Sequence, residues 1–345
     1  MPNHLDLFGF FSILKSFNNA FFTIIIWSSV FLNSCKDRIN QPKCPQFEIE
    51  PISPYNNPIC NPSGKVIGFN YIPIKEIKYD YGFDCPNQAT YIYDYTKSGF
   101  WLMDSDGKNQ RRALPFNLYA PQWSSDGRWI TFSNGNIFKM PFDGECFDTT
   151  AIIQLTYSGR DNYSAWSPKG NYIAYDNTDC GSAVDPIPPN SCGIIISDTL
   201  GNERSYIPRG RFPYWGASED TVYYTMFYYD LINKQESMVF DNVKMQFTVE
   251  GQPSFNSQKN KIFFLGRFIN SPSNIKLYSI EPSGENFKLV SNDPILSFSF
   301  TPYGKIVYLN FGDNRIDNEK GTLWEMDQDG SNKKQLTFND FSVSF

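Results

Sequence analysis

The sequence predicts an all-β protein, a six-bladed β-propeller of four-stranded blades. Two phrases alternate along the 345 residues, and each contributes two strands and the turn between them. After one wider first interval, copies of the first phrase begin roughly 40–50 residues apart, a period typical of propeller blades. Composition favours a packed core over disorder, since 17% of the residues are aromatic and only 19% are charged.

The first phrase is an aromatic residue, a short turn and an apolar strand. Its clearest copies are residues 123–132 (WSSDGRWITF) and 166–175 (WSPKGNYIAY). Weaker copies begin at Cys60, Trp215, Phe255 and Phe300. These six anchors predict six blades, in which the recurrent tryptophans fill the wedge between neighbouring sheets.

The second phrase is an apolar strand that ends in an acidic-glycine turn. It is clearest at residues 101–107 (WLMDSDG) and 323–330 (LWEMDQDG), and further copies end at Gly144, Gly201 and Gly284, while one at 239–247 lacks its glycine. Such a pair suits a hairpin turn that needs positive φ. The glutamate that ends a calcium-binding loop is missing, so we predict structural turns here.

Residues 341–345 match the start of another repeat with no turn after it. We therefore expect ring closure within one blade, in which the C-terminal strand pairs with the copy that continues from Lys65. Closure of this kind hides sheet edges that would otherwise promote aggregation.

The segments 166–175 (WSPKGNYIAY) and 323–337 (LWEMDQDGSNKKQLT) resemble the WD-like repeat of TolB-type propellers, found in bacterial envelope proteins. The resemblance covers residues 58–345 and implies the propeller fold. TolB carries a separate α/β domain before its propeller, through which it engages other envelope proteins. Residues 36–58 are too few for that domain, so the resemblance does not imply the TolB role.

The N-terminal region predicts an exported, lipid-anchored protein. The apolar run 21–32 follows Lys15 and has the length of a signal-peptide core. Residues 32–35 (LNSC) resemble a lipobox, which makes 1–34 a lipoprotein signal peptide, Cys35 the lipidated residue and 35–57 a tether to the propeller. Lys36 is compatible with outer-membrane sorting in the bacterial envelope. The alternative is an uncleaved membrane anchor in which Cys35 is an ordinary thiol.

Six further cysteines suggest disulfides in an exported chain. They are Cys44, Cys60, Cys85, Cys146, Cys180 and Cys192. Cys180 and Cys192 bracket a Gly/Pro-rich segment and form the best pair, which would contribute about 3 kcal/mol to stability. The pairing of the other four stays open.

Five long segments, 72–98, 178–192, 227–236, 266–274 and 311–320, fall between the second and third strands of their blades. We expect them to cluster on one face, where loops on a rigid scaffold often carry function. Tyrosine and arginine, the residues enriched at interface hot spots, recur there. The predicted binding rim comprises Tyr79, Tyr81, Tyr93, Tyr95, Arg160, Arg209, Arg211, Tyr228, Arg267 and Arg315.

The chain has one histidine, His4, within the predicted signal peptide. A mature chain without histidine lacks a Ser-His-Asp triad, a Cys-His pair and an imidazole metal site, so no catalytic residue, metal or cofactor is assigned. A net charge of −6 without a basic run argues against nucleic acid.

We predict a non-enzymatic, lipid-anchored binding or scaffold module whose partner is an envelope protein or a cell-surface glycan. The alternative is a carboxylate- or metal-dependent carbohydrate lyase or lactonase. That enzyme would need acids such as Asp161, Asp176 and Asp230 to converge at the mouth of the channel.

Overall fold

The computed structural model describes residues 53–82, 85–180, 192–270, 275–311, 321–340 and 342–344, all within one compact unit, Cys44–Phe345. The predicted signal peptide, Cys35 and most of the predicted tether lie outside these residues. Regular structure in the described part is β-strand apart from two single-turn 3-10 helices, Tyr95–Lys97 and Thr149–Ala151. No helix among the described residues is long and apolar enough to cross a membrane.

Six four-stranded antiparallel sheets follow one another along the chain and confirm the six-bladed propeller. We name the strands of each blade A to D in chain order. Blade 1 consists of β1 (Tyr55–Cys60), β2 (Val66–Tyr71), β5 (Gly99–Asp104) and β6 (Arg111–Leu114), with the hairpin β3 (Ile74–Gly82) and β4 (Cys85–Tyr93) inserted between B and C. Blade 2 consists of β7 (Tyr119–Trp123), β8 (Trp129–Ser133), β9 (Ile137–Pro141) and β10 (Ile153–Gln154).

The other four blades have the same order. Blade 3 consists of β11 (Asp161–Trp166), β12 (Tyr172–Asn177), β13 (Gly193–Asp198) and β14 (Glu203–Pro208). Blade 4 consists of β15 (Pro213–Trp215), β16 (Thr221–Tyr224), β17 (Phe227–Asp230) and β18 (Gln235–Met238). Blade 5 consists of β19 (Phe247–Asn256), β20 (Lys261–Phe268), β21 (Lys276–Ile280) and β22 (Lys288–Ser291). Blade 6 consists of β23 (Ile295–Phe300), β24 (Lys305–Asn310), β25 (Thr322–Asp327) and β26 (Lys334–Gln335).

Strand B supplies the same buried position in all six blades. It is β-branched throughout, as suits a pleated surface buried on both sides. The residues are Ile67, Ile130, Ile173, Val222, Ile262 and Ile306, each at most 1% exposed. The anchor aromatics lie between neighbouring blades: the indole N–H of Trp166 donates to Thr131 Oγ1 (3.1 Å) and that of Trp215 to the Ala165 carbonyl (3.0 Å).

The glycines of the C–D turns hold neighbouring blades together. Gly201 has φ 87°, and a Cβ there would lie 2.4 Å from the carbonyl oxygen of Leu155 in the preceding blade. Gly330 meets Val290 in the same way, at 2.1 Å. Blade 1 repeats the contact on blade 6, because a Cβ on Gly107 would lie 2.6 Å from the Leu336 carbonyl oxygen. The ring therefore closes through a contact that also occurs between blades 2 and 3 and between blades 5 and 6.

Closure by a shared blade, as the sequence predicted, is wrong. The C-terminal strand β27 (Ser342–Ser344) pairs in parallel with β3, outside the six blades. Blade 1 has no free edge for it beside β2, because β1 already pairs there from Tyr55↔Tyr71 to Cys60↔Ile67. The first blade accordingly begins at Tyr55, three residues before the boundary expected at 58.

Three of the five long segments, 72–98, 178–192 and 311–320, lie between strands B and C as expected. The segment 266–274 begins within strand B of blade 5, which ends at Phe268, and 227–236 does not lie between B and C. Phe227–Asp230 is strand C of blade 4, and it follows strand B after a tight turn at Thr225, which has φ 46°. Residues 239–246, expected to hold a strand, instead form the connection from blade 4 to blade 5. The B–C turn at Thr225 contains neither glycine nor proline, so the sequence carried no signal for this turn.

Candidate functional site

The B–C and D–A connections emerge at one end of the blades, which we call the long-loop face. Tyr93 ends β4 there, and Tyr95 follows it in a single 3-10 turn. Arg160, Arg209 and Arg211 lie in D–A connections. The structure therefore places these predicted rim residues on a common face.

Other predicted rim residues do not form a free surface. Tyr228 lies in strand C of blade 4, where its ring packs against Tyr223, with centroids 5.7 Å apart. The Nε atom of Arg267 pairs with Glu250 Oε1 at 3.3 Å. Tyr79 and Tyr81 belong to β3, but their side chains, like the whole of Arg315, fall outside the described part of the structure.

Strand A carries an unusual backbone position at the long-loop face in the first four blades. The residue three places before each anchor has positive φ: Asn57 (48°), Ala120 (46°), Tyr163 (48°) and Phe212 (59°). This conformation costs an L-residue about 1–2 kcal/mol, and such strain concentrates at functional sites. Sequence reasoning missed these residues, although their fixed distance from the anchor was a usable signal.

Blades 1 and 2 enclose a cleft of about 540 Å³ on this face, which we call the tyrosine cleft. Tyr93 and Tyr95, whose ring centroids lie 5.7 Å apart, line the cleft together with Tyr119. Tyr95 is 68% exposed and Tyr119 is 50% exposed. The remaining lining residues are uncharged: Ser53, Pro54, Asn56, Asn57, Asn70, Ile72, Asn117 and Leu118.

A second group lies beside the cleft, on blades 3 and 4, and we call it the arginine cluster: Tyr163, Asp176, Arg211 and Phe212. The Tyr163 hydroxyl shares a hydrogen bond of 2.8 Å with that of Tyr119, which joins the two groups. The Tyr163 and Phe212 rings pack edge to face at 4.6 Å. Arg211 lies over the Phe212 ring at 5.2 Å, and its Nε donates to Asp176 Oδ2 at 3.0 Å.

Asp176 is fully buried, and its environment sets its charge state. The backbone N–H of Phe212 also donates to Oδ2 (3.2 Å), while Oδ1 has no hydrogen-bond partner among the described residues. Burial raises the pKa of the Asp176 carboxyl above its ordinary value, and the guanidinium of Arg211 opposes that rise. Burial likewise raises the pKa of Tyr163, so its hydroxyl stays neutral.

A disulfide lies at the base of the arginine cluster. The structure joins Cys180 to Cys192, with Cα atoms 4.4 Å apart, where the B–C segment of blade 3 leaves and re-enters the sheet. The Cys192 N–H donates to Asn177 Oδ1 (3.4 Å), and Asn177 Nδ2 donates to Asp161 Oδ1 (2.6 Å). The disulfide is thus coupled to the strand that carries Asp176.

The three carboxylates proposed for an enzyme do not converge. Asp161 and Asp176 lie on adjacent strands at the long-loop face. Asp230 ends strand C of blade 4 opposite Thr221, at the other end of the blade. No group of three or more His, Cys, Asp or Glu side chains that could hold a metal occurs among the described residues.

The short-turn end of the channel through the ring has no acidic residue among its described lining residues. This end is a cavity of about 380 Å³ lined by strand A and A–B turn residues of all six blades. Gln122 Nε2 donates across the channel to Gln252 Oε1 at 3.4 Å, and Gln252 Nε2 donates to the Pro213 carbonyl at 2.5 Å. These uncharged amides therefore link strand A of blades 2, 4 and 5 across the channel.

The described residues form a closed six-bladed propeller with an aromatic, loop-built face. It resembles two solved proteins of one type. TolB from Acinetobacter baumannii superposes with a TM-score of 0.54 at 15% identity, covering 81% of this chain and 66% of that one. A protein assigned as TolB in Agrobacterium tumefaciens gives 0.50 at 16% identity, covering 69% and 84%. The chain therefore has the TolB-type propeller fold.

Sequence comparison adds little to this assignment. No protein-family model matches the chain. Divinyl ether synthase CYP74D2 from Solanum tuberosum is 25% identical over 191 residues, which is 54% of this chain and 34% of that protein. The chain thus spans about a third of the length of this curated relative.

Proposed function

We propose that the chain is a lipid-anchored, non-enzymatic binding module of the bacterial envelope, and that a partner protein docks on its arginine cluster. The observation that carries the proposal is the position of Arg211. Its guanidinium is fixed by Asp176 and stacked on Phe212, while the side chain remains 51% exposed. An arginine held in this way loses little conformational freedom on binding, and arginine and aromatic residues dominate interface hot spots.

The chemistry of the cluster favours an acidic or carbonyl-rich peptide surface as the partner. A guanidinium presents several N–H donors in a fixed fork that matches carboxylates. The adjoining rings of Phe212 and Tyr163 offer apolar area beside it. The Cys180–Cys192 disulfide links the ends of the strands that flank the cluster on blade 3, which limits the ordering cost of association.

The cellular location rests on the sequence pattern at Cys35 and is supported by the bacterial TolB-type likeness. Replacing Cys35 by serine would remove the acyl acceptor. We expect the Cys35→Ser protein to lose incorporation of a labelled fatty acid and to move from the membrane to the soluble fraction. Unchanged labelling would contradict lipidation at this residue.

The docking proposal is tested by affinity capture from the native envelope. Phe212→Gly removes the ring without backbone strain, because φ at this position is 59°. Tyr303→Ser is the matched control, since Tyr303 is 72% exposed in an A–B turn at the opposite end of the blades. We expect the captured protein to be lost with Phe212→Gly and retained with Tyr303→Ser. Equal capture by both variants would contradict docking at the cluster.

A further inference from the structure

We propose that the tyrosine cleft is a separate site for a neutral oligosaccharide. The inference goes beyond the protein-docking function and does not rest on it. Three properties of the cleft carry it: exposed tyrosine rings, side-chain amides that have no partner among the described residues, and a described lining without charge. Its volume of about 540 Å³ lies within the range of roughly 300–1,000 Å³ typical of small-molecule sites.

The tyrosines are presented as flat walls. The Tyr93 and Tyr95 rings lie at 43° to each other, and Tyr95 is held on a short 3-10 turn capped by Asp94. Tyr119 also lines the cleft, and its hydroxyl shares a hydrogen bond with that of Tyr163. A pyranose ring has a face of C–H groups that packs on an aromatic ring while its hydroxyls point sideways. Two such walls suit a chain of sugars better than a single ion or a fatty acyl chain.

The amides are placed to meet the hydroxyls. The Asn70 side chain is occupied on both sides by the backbone of Leu118, at 2.7 and 2.8 Å, which fixes the floor of the cleft. Within the described residues, the side-chain amides of Asn57 and Asn117 make no hydrogen bond to protein. An amide both donates and accepts, and a sugar hydroxyl does the same, so each amide can pair with a hydroxyl.

The absence of charge in the described lining decides the class of glycan. An anionic sugar or a phosphorylated ligand would be desolvated in the cleft without an opposite charge to compensate it. A neutral sugar carries no such penalty. No lysine or arginine is among the described residues that line the cleft.

The test is calorimetric titration of the purified full chain with four neutral hexasaccharides, cellohexaose, maltohexaose, mannohexaose and chitohexaose, and with hexagalacturonate as the charged comparator. We expect at least one neutral hexamer to bind more tightly than hexagalacturonate. Tyr95→Ala and Asn117→Ala should each weaken that binding about tenfold or more. Tyr95→Phe should retain it, because the ring is kept.

Tyr157→Ala is the matched control, since Tyr157 is 79% exposed in a D–A connection but does not line the cleft. Its affinity should equal that of the wild type. The inference is overturned if no neutral hexamer binds at millimolar concentration, if hexagalacturonate binds at least as well, or if Tyr95→Ala binds unchanged. Phe212→Gly separates the two proposals, because it should abolish protein capture and leave oligosaccharide affinity unaltered.

Discussion

The two halves of the long-loop face differ in chemistry although the same backbone position builds both. On blades 1 and 2 that position holds Asn57, which lines the tyrosine cleft, and Ala120, which follows the lining residue Tyr119. In the arginine cluster it holds Tyr163 and Phe212, whose rings fill the corresponding space. The propeller thus repeats one strained backbone position and varies its side chain, so neighbouring blades of a single scaffold present different ligand chemistry.

The largest loss of stability is expected from a substitution at the contact that closes the propeller, on which both halves of the long-loop face depend. Gly107→Ala would place a Cβ 2.6 Å from the Leu336 carbonyl oxygen, at the contact between blades 1 and 6, in addition to its unfavourable φ of 90°. We expect it to lower the free energy of unfolding by about 3 kcal/mol. Urea unfolding followed by tryptophan fluorescence measures the loss.

Gly144→Ala is the control for that change. Gly144 occupies the equivalent turn of blade 2 with φ 109°, but a Cβ at this position would meet no described atom within 4 Å. The substitution should cost only about 1 kcal/mol, from the backbone alone. Equal losses in the two variants would show that the blade contact does not stabilise the ring.

Removing the disulfide should affect the arginine cluster and leave the tyrosine cleft unchanged. The double substitution Cys180→Ser and Cys192→Ser releases the segment beside the arginine cluster and should lower stability by about 3 kcal/mol. Protein capture should weaken, whereas oligosaccharide binding at the tyrosine cleft on blades 1 and 2 should persist. Loss of both protein capture and oligosaccharide binding in this variant would argue against two independent sites.

Arg211→Ala probes the electrostatics of the cluster. It leaves the buried carboxylate of Asp176 without its cation, and because the Arg211 side chain is 51% exposed we expect a loss of roughly 2 kcal/mol, less than for a fully buried pair. Arg211→Met combined with Asp176→Asn removes both charges and should recover most of that stability. Chemical denaturation of the single and double variants at neutral pH measures the difference.

The pH dependence of the same pair has a definite sign. The folded-state pKa of Asp176 is raised above its ordinary 3.8, so the native state holds this proton more tightly than the unfolded chain does. The stability it contributes is present below pH 3.8 and is lost as the pH rises through the raised value. Removing Arg211 raises the pKa further, so the deficit of Arg211→Ala should grow with pH. A deficit independent of pH would contradict this assignment.

The sequence predicted those parts of the fold that depend on local chemistry. Anchor aromatics and acidic-glycine turns revealed six blades because each blade needs the same wedge and the same positive-φ turn. The tight B–C turn of blade 4 was not predicted, because Thr225 adopts there a positive φ that β-branched residues disfavour. Of the candidate site, Tyr93 and Tyr95 were predicted from loop length and Arg211 from its place in a connection between blades, whereas Tyr163 and Phe212 were not predicted.

Tyr163 and Phe212 were not predicted for the same physical reason. Each sits at the start of strand A or just before it, in a left-handed conformation that local sequence preferences oppose and that the packed ring enforces. No sequence rule for loops or strands identifies an aromatic residue in that state. Only the register relative to the anchor, compared across blades, would have revealed it.

The smallest expected effect tests whether this enforced conformation is strained. Ala120 has φ 46°, so Ala120→Gly should relieve strain and raise the free energy of unfolding by about 0.5–1 kcal/mol. Ala174→Gly is the matched control: Ala174 is fully buried in strand B of blade 3, and its loss should destabilise by a similar amount. Opposite signs in thermal unfolding would establish that strand A stores strain at the floor of the long-loop face. A destabilising Ala120→Gly would mean that the alanine methyl group packs favourably there and that the backbone position is not strained.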